Sequence, residues 1–90
     1  MTRLFVRHTV KDYAAWRTAY DAFQEAQGHS MGITADTVYR SVENPNDITV
    51  SHDFDTLKSA QALAGSDQLR EAMTQAGVVG APQIWIVEPA

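Results

Sequence analysis

The stretch YRSVENPNDITVSHDF, from Tyr39 to Phe54, decides the fold. Asn44-Pro45-Asn46-Asp47 is turn chemistry: the proline presets one backbone angle and the Asx side chains bond locally. On one side lies a strand of roughly Ile33 to Val42, on the other a strand from Ile48 to Phe54, so the pair forms a β-hairpin. Within the second strand Ile48, Val50, His52 and Phe54 alternate with Thr49, Ser51 and Asp53. His52 thus falls where the pattern calls for an apolar side chain.

Working outward, TRLFVRHTV (Thr2–Val10) also alternates. Leu4, Val6 and His8 point one way, and Arg3, Phe5, Arg7 and Thr9 the other, as in a half-buried strand. Asp12 is an N-cap for a helix over YAAWRTAYDAFQEAQ, which Gly28 ends. Tyr13, Trp16, Tyr20 and Phe23 make one stripe at helical spacing. Beyond the hairpin, Asp55 or Thr56 caps a helix over TLKSAQALAG, broken at Gly65-Ser66. DQLREAMTQAG continues as a further helix, with Leu69, Ala72, Met73 and Ala76 inward. VVGAP reads as a glycine–proline loop, and QIWIVEP as a last strand.

The order βαββαβ predicts an α+β, ferredoxin-like domain spanning residues 1–90, with a four-stranded antiparallel sheet of order 4-1-3-2 and helices on one face. The other face, with Arg3, Phe5, Arg7, Trp85 and Val87, is too mixed for a monomer's core and too apolar for open solvent. Two sheets packed face to face would resolve this, so a homodimer is expected. At 90 residues an isolated chain would be marginal, and with no cysteine it has no disulfide to compensate.

Composition narrows function by exclusion. A net charge of -4 without a basic run argues against nucleic acid. No apolar stretch approaches a membrane span, and the N-terminal residues lack a signal peptide's apolar core and cleavage site. A cytoplasmic protein is the expectation. GVVGAP has no dinucleotide or phosphate-loop pattern. A metal site would need a third ligand beside His8 and His52, His29 lies in a loop, and no H-x-H or H-x-x-x-H spacing exists. No metal and no cofactor are expected.

Ser51-His52-Asp53 mimics a catalytic triad, but strand neighbours point to opposite faces, so the three cannot converge. His8 and His52 both belong to the helix-facing set. If Leu4 faces His52, then His8 faces Ile48 and the imidazoles lie about 13 Å apart at strand rise. That separation excludes a shared metal but fits opposite ends of one pocket. Each is readable as a histidine satisfied by its surroundings, or as a proton-transfer group, with His52 the first candidate and His8 the second. The aromatic stripe divides similarly between core and ligand box. Its tyrosine hydroxyls and indole need partners when buried, so an aromatic cavity between sheet and helices, with Trp16, Tyr20, Tyr39, Tyr13 and Phe54 against a flat ligand, is the functional alternative. Arg3 and Asp53 should face each other as an ion pair on the dimer side, and Arg40 should be solvated.

FVRHTVKDYAAWRTAYD, the hairpin above and SDQLREAMTQAGVVGAP together resemble the dimeric α/β-barrel superfamily, which includes antibiotic-biosynthesis-monooxygenase-like and polyketide-cyclase-like bacterial proteins. The resemblance covers nearly the whole chain. It implies paired sheets forming a central barrel and a pocket between sheet and helices. It implies a cofactor-free oxygenase or cyclase acting on an aromatic or polyketide-like metabolite. Other members of the superfamily degrade haem or have no known reaction, so a non-catalytic binding or stress-related dimer and a haem-binding protein are the alternatives. Haem-degrading members use a helix histidine, which this chain lacks.

Overall fold

The computed structural model describes all residues, 1–90. The elements are β1 (Thr2–Val10), α1 (Tyr13–Phe23), β2 (Ile33–Arg40), β3 (Asp47–Phe54), α2 (Leu57–Ala64), α3 (Asp67–Gln75) and β4 (Val78–Val87). All strands pair antiparallel in the order β2-β3-β1-β4, as the ferredoxin-like reading requires. The central register is also the expected one: Leu4 opposes His52 and His8 opposes Ile48. Each helix begins where a short polar side chain takes up an orphan amide. Asp12 accepts from Ala15 N–H, Thr56 from Ser59 N–H and Ser66 from Leu69 N–H. Gly65-Ser66 separates α2 from α3 as the sequence indicates.

Three local expectations need correction. The first helix is not α-helical to Gln27: it ends at Phe23 and passes into a single π-helical turn over Gln24–Gly28. The hairpin's first strand stops at Arg40 rather than Val42, where Ser41 N–H already bonds Asp47 C=O to close the turn. VVGAP is not a loop but the start of β4. Val78 and Val79 pair with Val10 and Thr9, and a register shift between Arg7 and Thr9 absorbs the irregularity. Gly80, at φ 73°, supplies the positive angle there. Pro82 is tolerated because β4 is an edge strand.

The core lies between the sheet and the helices in two halves. One gathers Leu4, Val6, Ile33, Phe54, Leu63 and Leu69 beneath α2 and α3; the other gathers Val10, Trp16, Tyr20, Ile48 and Val50 beneath α1. The opposite sheet face has no cover within the chain. Phe5 stacks on Trp85 at 5.3 Å between ring centres, and Trp85 and Val87 stay 42% and 40% exposed. Arg3 meets Asp53 at 2.6 Å on this face and Arg7 meets Asp47 at 2.8 Å, so the expected Arg3–Asp53 pair forms. No helix is long and apolar enough to cross a membrane.

Candidate functional site

A small cavity lies where α1 and α3 part above the sheet. Val6, His8, Val50 and His52 form its floor, α1 supplies Trp16, Ala19, Tyr20 and Phe23, and α3 supplies Leu69, Ala72 and Met73, with Ala76 just past its end. Its free volume is about 40 Å³, room for a few waters. Drug-sized ligands occupy pockets of about 300 Å³ or more, so a substrate of that size enters only if the cavity's walls move apart.

The helical stripe and the strand histidines form one continuous aromatic row. His8 meets Trp16 edge-on at 5.6 Å, Trp16 stacks on Tyr20 at 5.0 Å, and Tyr20 lies nearly parallel to His52 at 6.0 Å. The imidazoles are therefore separated by two rings, too far apart to hold one metal ion between them. No group of three metal-binding side chains clusters anywhere in the chain.

Polar atoms in this row are few and definite. Tyr20 Oη lies 2.8 Å from Asp36 Oδ2 and 3.0 Å from His52 Nε2. Both histidines are almost wholly buried, and each Nδ1 has no hydrogen-bond partner. Burial lowers the pKa of both imidazoles below the ordinary histidine value. Nearby Asp36 and Asp53 oppose this at His52, and at His8 the polarity of its own backbone and then Asp47 do so. Both rings are thus held neutral at pH 7. Burial, reinforced by the hydrogen bond to Asp36, pushes the Tyr20 hydroxyl far above the usual phenol range, so it stays protonated.

Of the residues singled out in the sequence, the structure brings His8, His52, Trp16 and Tyr20 together around the cavity. Tyr13 is half-buried beside Trp16 but does not line the cavity, and the Arg40 guanidinium covers its ring at 3.8 Å. Arg40 is therefore engaged, with Nε also donating to Pro45 C=O, rather than simply solvated. Phe54 is fully buried in the other half of the core, packed with Leu4 and Ile33. Tyr39 lies on the outer sheet face, 52% exposed, because Val38 and Arg40 take the helix-facing positions of β2. Asp36, which the sequence reading passed over, is the addition: it opposes His52 across the hairpin and shares its face.

No family model matches this chain, and no curated protein does. Solved structures match over nearly its full length. A Bordetella bronchiseptica protein described as an antibiotic biosynthesis monooxygenase superposes with a TM-score of 0.79 at 15% identity, over 99% of this chain and 96% of its own. The fold is that of the antibiotic biosynthesis monooxygenases. A conserved Methanosarcina mazei Go1 protein has it too, at TM-score 0.78 and 18% identity, over 99% of this chain and 92% of its own. A variant of SnoaB, a cofactor-independent oxygenase from Streptomyces nogalater, matches at TM-score 0.75 and 11% identity, over 98% and 91% of the two chains. At these identities the monooxygenase fold is shared, and residue roles must come from this chain's own geometry.

Proposed function

We propose that this chain is a small enzyme in which His52 removes a proton from an aromatic or polyketide-like metabolite held between the sheet and helices α1 and α3. The observation that carries the reading is a neutral imidazole with an unpartnered ring nitrogen beside a largely apolar cavity. A base of this kind is useful because its lone pair is not neutralised by a proton or by water. The stacked Trp16 and Tyr20 offer a flat wall for a planar ligand. Removing a proton from an activated CH leaves a stabilised carbanion, and removing one from a phenolic OH leaves a phenolate with carbanion character at its ring carbons. That carbanion either attacks a carbonyl of its own chain, closing a ring, or reduces dioxygen and keeps one oxygen atom while the other leaves as water. Both outcomes proceed without a bound cofactor. The oxygenase branch draws support from the fold shared with SnoaB. We place His8 second, at the far end of the row, as a polar contact for the ligand's distal group. The working unit in this reading is a cytoplasmic homodimer joined through the outer sheet faces, where Phe5, Trp85 and Val87 lie uncovered.

The test is turnover of a panel of hydroxylated anthrones and linear polyketide mimics, followed by oxygen uptake and absorbance. His52→Gln should reduce turnover by on the order of 10²-fold or more while leaving the fold unchanged. Equal turnover by wild type and variant would remove His52 as the base.

A second reading rests on the cavity's size. At about 40 Å³ it is closed to a polycyclic ligand as it stands, as expected of a dimer that binds smaller molecules or none. Ligand-detected NMR with the same panel and with single-ring phenols separates the two: no binding of the panel, with or without binding of the small phenols, favours this reading.

A further inference from the structure

Asp36 and Tyr20 fall outside the direct chemistry assigned to His52, yet they determine which of its nitrogens can act. Tyr20 Oη has one proton and two neighbours, Asp36 Oδ2 at 2.8 Å and His52 Nε2 at 3.0 Å. A carboxylate only accepts, so the tyrosine's proton goes to Asp36. The remaining contact then requires Tyr20 Oη to accept, and His52 Nε2 must donate. A neutral imidazole has a single N–H. Nδ1 is consequently the bare nitrogen, and it is the one the structure leaves buried without a partner.

We infer that Asp36 is a positioning residue that, through Tyr20, holds His52 in its Nε2–H tautomer and leaves Nδ1 as the proton-accepting atom. The inference deepens the proposed role of His52 and rests on that reading for its catalytic consequence, though not for the tautomer itself. The same chain of bonds provides an exit for the abstracted proton. When Nδ1 takes a proton, the imidazolium releases the one on Nε2 to Tyr20 Oη as the tyrosine hands its own to Asp36. Asp36 is exposed to solvent, so the proton leaves there. No bond other than these O–H and N–H bonds changes, and the ring returns to neutrality with its proton on Nδ1. Nδ1 then gives this proton to an oxygen of the departing product or water as Nε2 takes one back through Tyr20 from Asp36, and the starting tautomer is restored.

Five charged or titratable groups bear on this, counting Asp21, which pairs with Arg17 at 3.1 Å. Asp36 on β2 and Tyr20 on α1 bond within the row. Asp53 on β3 lies on the other face, paired with Arg3, and Arg17 on α1 lies over the Tyr20 ring at 5.8 Å. Neither Asp53 nor Arg17 makes a hydrogen bond to the imidazole that would compete for its nitrogens.

The experiment is a two-bond proton–nitrogen NMR correlation on the ¹⁵N-labelled full chain at neutral pH, in wild type, Asp36→Ala and Asp36→Glu. His52 should show a protonated Nε2 and an unprotonated Nδ1 in wild type and in Asp36→Glu. In Asp36→Ala the tyrosine proton is free to turn toward Nε2, so the Nδ1–H form should become populated, while the signals of His8 stay unchanged as an internal control. A wild-type His52 protonated at Nδ1, or a tautomer indifferent to Asp36→Ala, overturns the inference. The readout needs no substrate: a locked tautomer in a protein that turns nothing over would keep this inference and sink the enzymatic reading. On any substrate the wild type consumes, Asp36→Ala should lower kcat by on the order of 10²-fold with a smaller change in KM, and Asp36→Glu should recover most of it.

Discussion

His8 and His52 occupy core positions that an aliphatic residue would fill more simply, and that placement makes the fold sensitive to mild acid. Burial holds both folded imidazoles below the ordinary value of 6.5. On acidification the unfolded chain therefore takes up protons first. Stability is fully present above about pH 6.5 and is lost as pH falls toward the lowered folded values. Urea midpoints should drop between pH 7.5 and 5, and the drop should shrink in His8→Gln and His52→Gln. A wild-type midpoint that stays flat over this window would mean that the imidazoles are not desolvated as described. Asp47 and Asp53 act lower down. Their hydrogen bonds to Arg7 and Arg3 depress their carboxyls below 3.8, so their contribution is present above that value and fades only as pH falls further. The placement of both histidines was legible from alternation alone, because a strand has only two faces. Asp36 was legible in principle: counting back from the ENPND turn pairs Arg40 with Ile48 and Asp36 with His52. Nothing in the sequence marks it out, because an acid in an edge strand is ordinarily a solvated one; the register from the turn to Asp36 is regular, and the shift falls only beyond it, between Ile33 and Ala35. Tyr39 was misplaced by composition, since its hydroxyl suited a pocket that strand alternation had already denied it.

The elements followed from local chemistry wherever a cap or turn marked them. Asp12, Thr56 and Ser66 are helix starts written in one residue each. Ser66 is the most exacting, because its hydroxyl both accepts from Leu69 N–H and donates to Leu63 C=O, joining the end of α2 to the start of α3. Ser66→Ala should cost about 1 kcal/mol in urea unfolding at pH 7.5. Since α3 carries one wall of the cavity, the same variant should speed amide exchange at Leu69–Met73 more than in the central strands. A change confined to α2 would mean that the two helices are not coupled through this serine. What could not be read was the π-helical turn at Gln24–Gly28 or the early start of β4. No side-chain pattern distinguishes a helix that widens by one residue, and a glycine–proline pair signals a loop more strongly than it signals a bulged edge strand.

Across the whole molecule, the sheet's two faces have unequal fates. One is buried beneath the helices and holds the histidine row; the other presents Phe5, Trp85 and Val87 in an apolar strip beside two self-neutralised ion pairs. Paired charges beside an apolar centre suit a surface that becomes buried, because neither arginine would be left without its carboxylate. A chain of 90 residues also gains from burying more apolar surface than it can alone. The proposed homodimer follows from those two facts, and it bears on the cavity as well. The histidine-bearing strands β1 and β3 form the centre of the sheet that the partner would back, so they would be held still while α1 and α3 part to admit a ligand. Sedimentation equilibrium across the micromolar range should give twice the 9.9 kDa chain mass for wild type. Trp85→Glu, which buries a charge with no partner, should shift the protein to monomer and lower its urea midpoint. A wild-type mass of one chain throughout that range would refute the dimer. If Trp85→Glu also loses turnover while its His52 tautomer is unchanged, the rigid backing of the sheet, not the arrangement of the base, is what the partner supplies.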